Sequence, residues 1–154
     1  MVFFTPVRGR VATLALSATL ALPVMTPGAA RAEAQRLSSG PDGEVIFVTP
    51  SGNIGCIYIP AGGTSVYESA DGQAELQCDR VAPSYVTVIL GAKAKAKRIN
   101  EPGEQGCCSL DQPLQYGNSW SEGPFTCLSS KTGLTCSSQA GHGFFISKAK
   151  IEVH

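Results

Sequence analysis

The sequence predicts an all-β fold, a small antiparallel sandwich or barrel stapled by disulfides. Three observations carry that expectation. Short β-branched and aromatic runs alternate with Gly/Pro/Asn turn signals at a spacing of roughly eight to twelve residues. No segment shows the apolar periodicity of a convincing amphipathic helix. Six cysteines, at 56, 78, 107, 108, 127 and 136, give the even count of a disulfide framework in a small exported chain.

Export is read from the N-terminus. Arg8 and Arg10 are the only charges before the apolar run Val11 to Met25, which a "TPGAA" breaker and the small-x-small stretch Ala30–Arg31–Ala32 follow. That is the layout of a secretory signal cleaved after Ala32. The apolar run would reach only about 22 Å as a helix, against a hydrocarbon core of roughly 30 Å, so it does not read as an anchor. A lipoprotein would need a cysteine at the cleavage point, and the first is Cys56. The expected organisation is residues 1–32 as signal, 33–43 as a flexible leader, and 44–154 as one disulfide-bonded β domain. No transmembrane segment is expected after cleavage, and the mature chain is expected to be periplasmic or secreted.

Signal removal takes away Arg8, Arg10 and Arg31 and leaves 9 basic residues facing 12 acidic ones, a net charge near −3. Such a balance argues against nucleic acid as a partner, because that binding rests on clustered Lys and Arg.

The strand candidates come in order. "EVIFV" and "NIGCIYI" flank "TPSG", and "PAGGTSVYESADGQ" reads as a loop with a short strand at "SVYE". "AELQC" and "SYVTVIL" follow. "GAKAKAKRI" suits a helix or an extended strand equally. "PFTCL" and "LTCSS" flank "SSKTG", and "GFFIS" and "AKIEV" close the chain. No internal repeat of useful length is visible.

A four-residue turn at Ser130–Gly133 would set Cys127 opposite Cys136, within reach of a cross-strand bridge. A turn at Pro50–Asn53 would set Phe47 opposite Cys56, so Cys56 needs a partner on another strand. Cys78, across the next loop, is the natural candidate. Cys107 and Cys108 remain unassigned: a vicinal bridge, or one paired elsewhere and one free.

"TPSGNIGC", "LQCD", "YGNSW", "GPFTCLSSKTGLTC" and "GHGFFISK", in that order, resemble a domain-of-unknown-function family of small exported bacterial proteins. The resemblance spans Phe47 to Lys148 and implies a β-rich domain with Cys56–Cys78 and Cys127–Cys136 bridges. It brings no catalytic residue. The family pattern has a tryptophan soon after its "RCD" and a further cysteine, and "CDRVAPSYVTV" here has neither.

Each candidate site has a structural reading beside it. His142, in "GHG", could be a catalytic base, but no nucleophile elbow accompanies it and the thiols are expected to be oxidised. The favoured reading is a turn whose glycines permit unusual backbone angles while the imidazole bonds a neighbouring loop. Cys107, Cys108, Cys127, Cys136 and His142 lack zinc-ligand spacing. Neither a metal nor a cofactor is expected. Lys93, Lys95, Lys97 and Arg98 could contact an anionic polymer, or could protect a sheet edge. Tyr116 and Trp120 could stack on a ligand or fill the core.

The functional expectation is an exported binding or structural module whose ligand is an envelope polymer or a secreted protein. Its candidate surface is Lys93, Lys95, Lys97, Arg98, Tyr116, Trp120 and His142. The alternative is an inhibitor of an envelope hydrolase that inserts the Pro50–Asn53 turn or the Ala61–Ser65 loop. A hydrolase using His142 is the weaker alternative.

Overall fold

Alternating inward and outward side chains sort the strands into two sheets. The computed structural model describes residues 1–5, 31–103, 108 and 112–154. The chain divides into Met1–Ala30 and Arg31–His154. Of the first unit only residues 1–5 are described, without regular structure, so most of the expected signal (1–32) lies outside the described residues. No helix among the described residues is long and apolar enough to cross a membrane.

In the second unit, β2 (Val45–Val48), β3 (Ile54–Ile59), β4 (Glu75–Arg80), β5 (Val86–Gly91) and β6 (Lys97–Asn100) form an antiparallel meander in chain order. A second meander runs through β7 (Asn118–Glu122), β8 (Phe125–Ser130), β9 (Gly133–Ser138), β10 (Gly143–Ile146) and β11 (Ile151–Val153). A short strand, β1 (Glu33–Ala34), pairs parallel with β7. Two separate sheets around one shared core make this a sandwich.

Both predicted hairpin registers are present. Phe47 faces Cys56 and Cys127 faces Cys136. Cys56 in turn faces Cys78 and is bridged to it, and Cys127 is bridged to Cys136, each pair with Cα atoms 4.1 Å apart. Burial alternates along β8, where Phe125, Cys127 and Ser129 point inward, and along β4, where Leu76, Cys78 and Arg80 do. The four sulfurs therefore belong to the core. Paired cysteines suit an oxidising environment. Cys108 is also disulfide-bonded, and the choice of its partner, like the structure of Cys107, lies outside the described residues.

Aromatic rings join the sheets. Trp120 packs on Phe47 with ring centroids 5.0 Å apart and stands edge-on to Tyr58 at 6.0 Å. Tyr58 also meets Phe125 at 6.1 Å, so two rings from each sheet form one cluster. Burial, and then the nearby Glu122 charge, push the Tyr58 hydroxyl's pKa upward.

Several expectations need correction. Residues 33–43 are not a loose leader: β1 pairs with β7, and Gln35 hydrogen-bonds Pro113, Gln115 and Asn118. Ser38 is gripped from both sides by the Gln112 side chain. The "SVYE" stretch is not a strand, whereas "NSWSE", absent from the strand candidates, is β7. The ambiguous basic segment ends in strand β6.

Two outcomes test this core. Trp120→Ala should lower unfolding free energy by about 3–5 kcal/mol in urea titrations, a large share of a total of about 5–15 kcal/mol. Native protein in excess dithiothreitol should keep both buried bridges, since reductant needs access to sulfur. Denaturant should expose them together, as read by alkylation and mass spectrometry.

Candidate functional site

The registers carry the β2–β3, β8–β9 and β10–β11 turns to one end of the sandwich, where they enclose a cleft of about 320 Å³. Each turn is fixed by its own sequence. In "TPSGN", Gly52 adopts φ 69°, a left-handed angle suited to glycine, and its N–H donates to the Thr49 carbonyl at 2.8 Å. The Asn53 side chain grips Ala82, donating to its carbonyl at 3.0 Å and accepting its N–H at 2.8 Å. In the β8–β9 turn the Ser130 hydroxyl donates to the Gly133 carbonyl at 2.9 Å and lies 2.9 Å from the Thr132 hydroxyl. In the third turn the Ser147 hydroxyl accepts the Lys150 N–H at 3.0 Å.

These turns leave Lys131 and Lys148 on the cleft wall with Tyr116 beside them. Neither lysine has an ion-pair or hydrogen-bond partner among the described residues, and no described lining residue is acidic. Lys150, two residues beyond Lys148, differs: it pairs with Glu152 at 3.0 Å and covers the Phe145 ring.

Behind the wall lies Arg80, only 5% exposed on the inward face of β4. Its guanidinium donates to the Ser147 carbonyl at 3.2 Å, tying the first sheet to the third turn, and to the carbonyl and hydroxyl of Ser84. Burial, and then the nearby Arg98 charge, lower its pKa, yet an arginine remains charged throughout the working range. No carboxylate bonds it among the described residues. The cleft is thus backed by a buried cation satisfied by neutral oxygens.

The sequence-predicted residues scatter. Tyr116 lines the cleft. Trp120 is 3% exposed in the core and offers no stacking face, which removes it from the binding surface. Lys97 and Arg98 lie on β6, the edge of the first sheet, and Lys93 and Lys95 precede it, all four exposed. Lys93 also borders a depression of about 430 Å³ at the opposite end, whose walls include Ala61, Ala74, Ala92, Ala140 and Pro124. That hollow is larger, and Gln73 and Gln139 join Lys93 as its polar lining, but it brings only one cation to its wall where the turn-end cleft brings two.

His142 is half-buried. Its carbonyl accepts the Ser138 N–H, while its ring has no hydrogen-bond partner among the described residues, so the expected imidazole bond to a loop is not made. The flanking glycines are structural. Gly141 adopts φ 84°, and a Cβ at Gly143 would lie 2.5 Å from the Cys136 carbonyl oxygen. Among the described residues no cluster of three or more His, Cys, Asp or Glu is placed to hold a metal. The basic residues of the cleft went unrecognised because Lys131 and Lys148 are 17 positions apart in sequence. Only the antiparallel turns bring them together.

A second surface feature lies at the Thr64–Tyr67 turn. Ser65 donates both its N–H and its hydroxyl to the Asp42 carboxylate, at 2.8 and 2.6 Å. The Thr64 N–H donates to the Tyr67 carbonyl at 2.7 Å, and the Tyr67 hydroxyl to Glu75 at 2.9 Å. Between these tethers Val66 stands almost fully exposed, at 92%.

No family model matches this chain, and no curated protein or solved structure matches it.

The Ser65 hydroxyl first, and its N–H second, hold the Asp42 carboxyl below its ordinary value of 3.8. A depressed carboxylate contributes stability above its unfolded pKa and loses it as pH falls through the folded one. The Ser65 amide resonance should therefore titrate with a midpoint below 3.8, and that transition should vanish in Asp42→Asn.

Proposed function

We propose that this chain is a disulfide-stapled binding module acting in an oxidising compartment outside the cytoplasm, and that its ligand site is the cleft at the turn end of the sandwich. One observation carries the reading. Turns of both sheets, each fixed by its own hydrogen bonds, present two unpartnered lysines and a tyrosine to one concavity. Fixed polar groups around a small hollow are what a ligand site requires. The sequence motifs add support, because "TPSGN", "YGNSW", "SSKTG" and "FISK" all contribute lining residues.

Binding is favoured over catalysis by how the hydroxyls are used. Those of Thr49, Ser130 and Ser147 bond one another's neighbours or backbone carbonyls, not an imidazole or carboxylate that could activate them. The ligand class remains an envelope polymer or a secreted protein. Among the basic residues, those of the cleft are preferred to the Lys93–Arg98 segment, because that segment leads into β6, a sheet edge where charged side chains serve to block edge-to-edge pairing.

One observation favours a second reading, loop insertion into an envelope hydrolase. Val66 is presented on a turn tethered on both sides, and such pre-organisation lowers the entropy cost of docking.

Retention of the full chain on isolated envelope material separates these readings. Lys131→Glu with Tyr116→Ala should abolish retention, and Lys93, Lys95 and Lys97 changed together to Glu should leave it largely intact. The reverse pattern would overturn the cleft assignment. Loss of retention only in Val66→Asp would favour the inserting loop.

A further inference from the structure

We infer that the cleft's occupant is an acidic sugar unit, a saccharide bearing a carboxylate or phosphate, held between Lys131 and Lys148 with its ring against Tyr116; this deepens the reading above and rests on it.

Charge is the first reason. After residue 32 the chain carries 9 basic and 12 acidic side chains, so its mean surface repels anions. The cleft wall departs from that mean, with two lysines and no carboxylate among its described residues. Two exposed lysines on the wall of one concavity give it a positive potential that draws an approaching anion. The buried Arg80 guanidinium, bonded to the Ser147 carbonyl immediately behind Lys148, adds a third positive charge that does not depend on side-chain motion.

Edge protection does not account for these lysines. Lys131 is at the tip of the β8–β9 hairpin, between two strands that are paired on both sides, and Lys148 lies in the β10–β11 turn. Nor does ion pairing account for them, since Lys150 takes the available Glu152.

The remaining chemistry suits a sugar better than a bare ion. The exposed Ser51 and Thr132 hydroxyls stand on the cleft wall, the latter 2.9 Å from the Ser130 hydroxyl, giving donor–acceptor groups of the kind that meet sugar hydroxyls. Tyr116, 36% exposed at the mouth, offers an aromatic face to the apolar side of a ring. A volume of about 320 Å³ is at the small end for a ligand site, which argues for one or two units rather than a long segment.

The test uses the full chain with its bridges oxidised, titrated at low salt with trigalacturonate, glucose 6-phosphate and the neutral maltotriose while backbone amide shifts are followed. The two acidic probes should move the Tyr116, Lys131 and Lys148 amides, with affinity falling as salt rises. Their relative affinities identify the preferred oxyanion. Lys131→Ala with Lys148→Ala should weaken binding roughly tenfold or more, while the paired Lys→Arg changes should retain it. Maltotriose binding as tightly as trigalacturonate, unaffected by the Lys→Ala changes, would overturn the acidic-sugar inference and leave the cleft reading in place. Silence of all three probes, with envelope retention still dependent on Lys131 and Tyr116, would also overturn the sugar inference alone. Envelope retention indifferent to both residues would remove the cleft reading itself.

Discussion

The fold depends on two cystines that lie inside the sandwich and directly across adjacent strands. Each sits in a row that crosses the strands of its sheet. In one, Phe47, Cys56, Cys78 and Val88 face one another in turn; in the other, Trp120, Cys127, Cys136 and Phe144 do. The rows meet where Phe47 packs on Trp120. Because side chains alternate faces with a period of two, a slip of one residue would turn each row toward solvent. A covalent bond between opposed residues forbids that slip. The two closures also remove roughly 3 kcal/mol each of unfolded-state freedom on the chain-entropy account.

That constraint reaches the cleft through short lengths of strand. Asn53 stands three residues before Cys56, Ser130 three after Cys127, Gly133 three before Cys136, and Arg80 two after Cys78. Three strand residues span about 10 Å, too short to bend freely inside a paired sheet. The turns that carry Thr49, Lys131 and the Arg80 latch are therefore held in register by the same bonds that hold the core. Position at the site follows from sulfur chemistry in the interior, with the turn hydrogen bonds adding only local detail.

Hairpin geometry was the most legible part of the sequence. "TPSG" and "SSKTG" are turn chemistry, and counting outward from them gave the Phe47–Cys56 and Cys127–Cys136 pairings that the structure contains. What escaped were features made by distant partners. Residues 33–43 look polar and breakable in isolation, and their order comes from Gln35 and Gln112, whose amides bond segments about 80 positions away. Strand β7 was obscured by the glycines around "NSWSE", and only pairing with β8 on one side and β1 on the other makes it a strand. Trp120 illustrates the limit of composition: one tryptophan in a polar stretch reads as surface or core alike, and alternation along a recognised strand is what sends it inward. The same holds for Arg80, an apparently ordinary charge in "LQCDR" that shares the inward face with Leu76 and Cys78.

Arg80 also explains why the cleft lies at this end and not at the other. A thin sandwich must close its core at both ends of the strands. At the far end, near Lys93, small apolar residues such as Ala61, Ala74, Ala92 and Ala140 do so beside Gln73 and Gln139, and no buried charge is among the described lining residues. At the near end a guanidinium closes it, and a buried charge needs oxygen acceptors. Ser84 and Ser147 supply them from carbonyls of two different loops, which draws those loops over the end of the core and fixes the wall on which Lys148 stands. An apolar residue at position 80 could fill the space but would make no such demand on the Ser147 turn. The polar plug and the cationic cleft are consequently two sides of one arrangement: the group that seals the interior also orders the surface that faces outward.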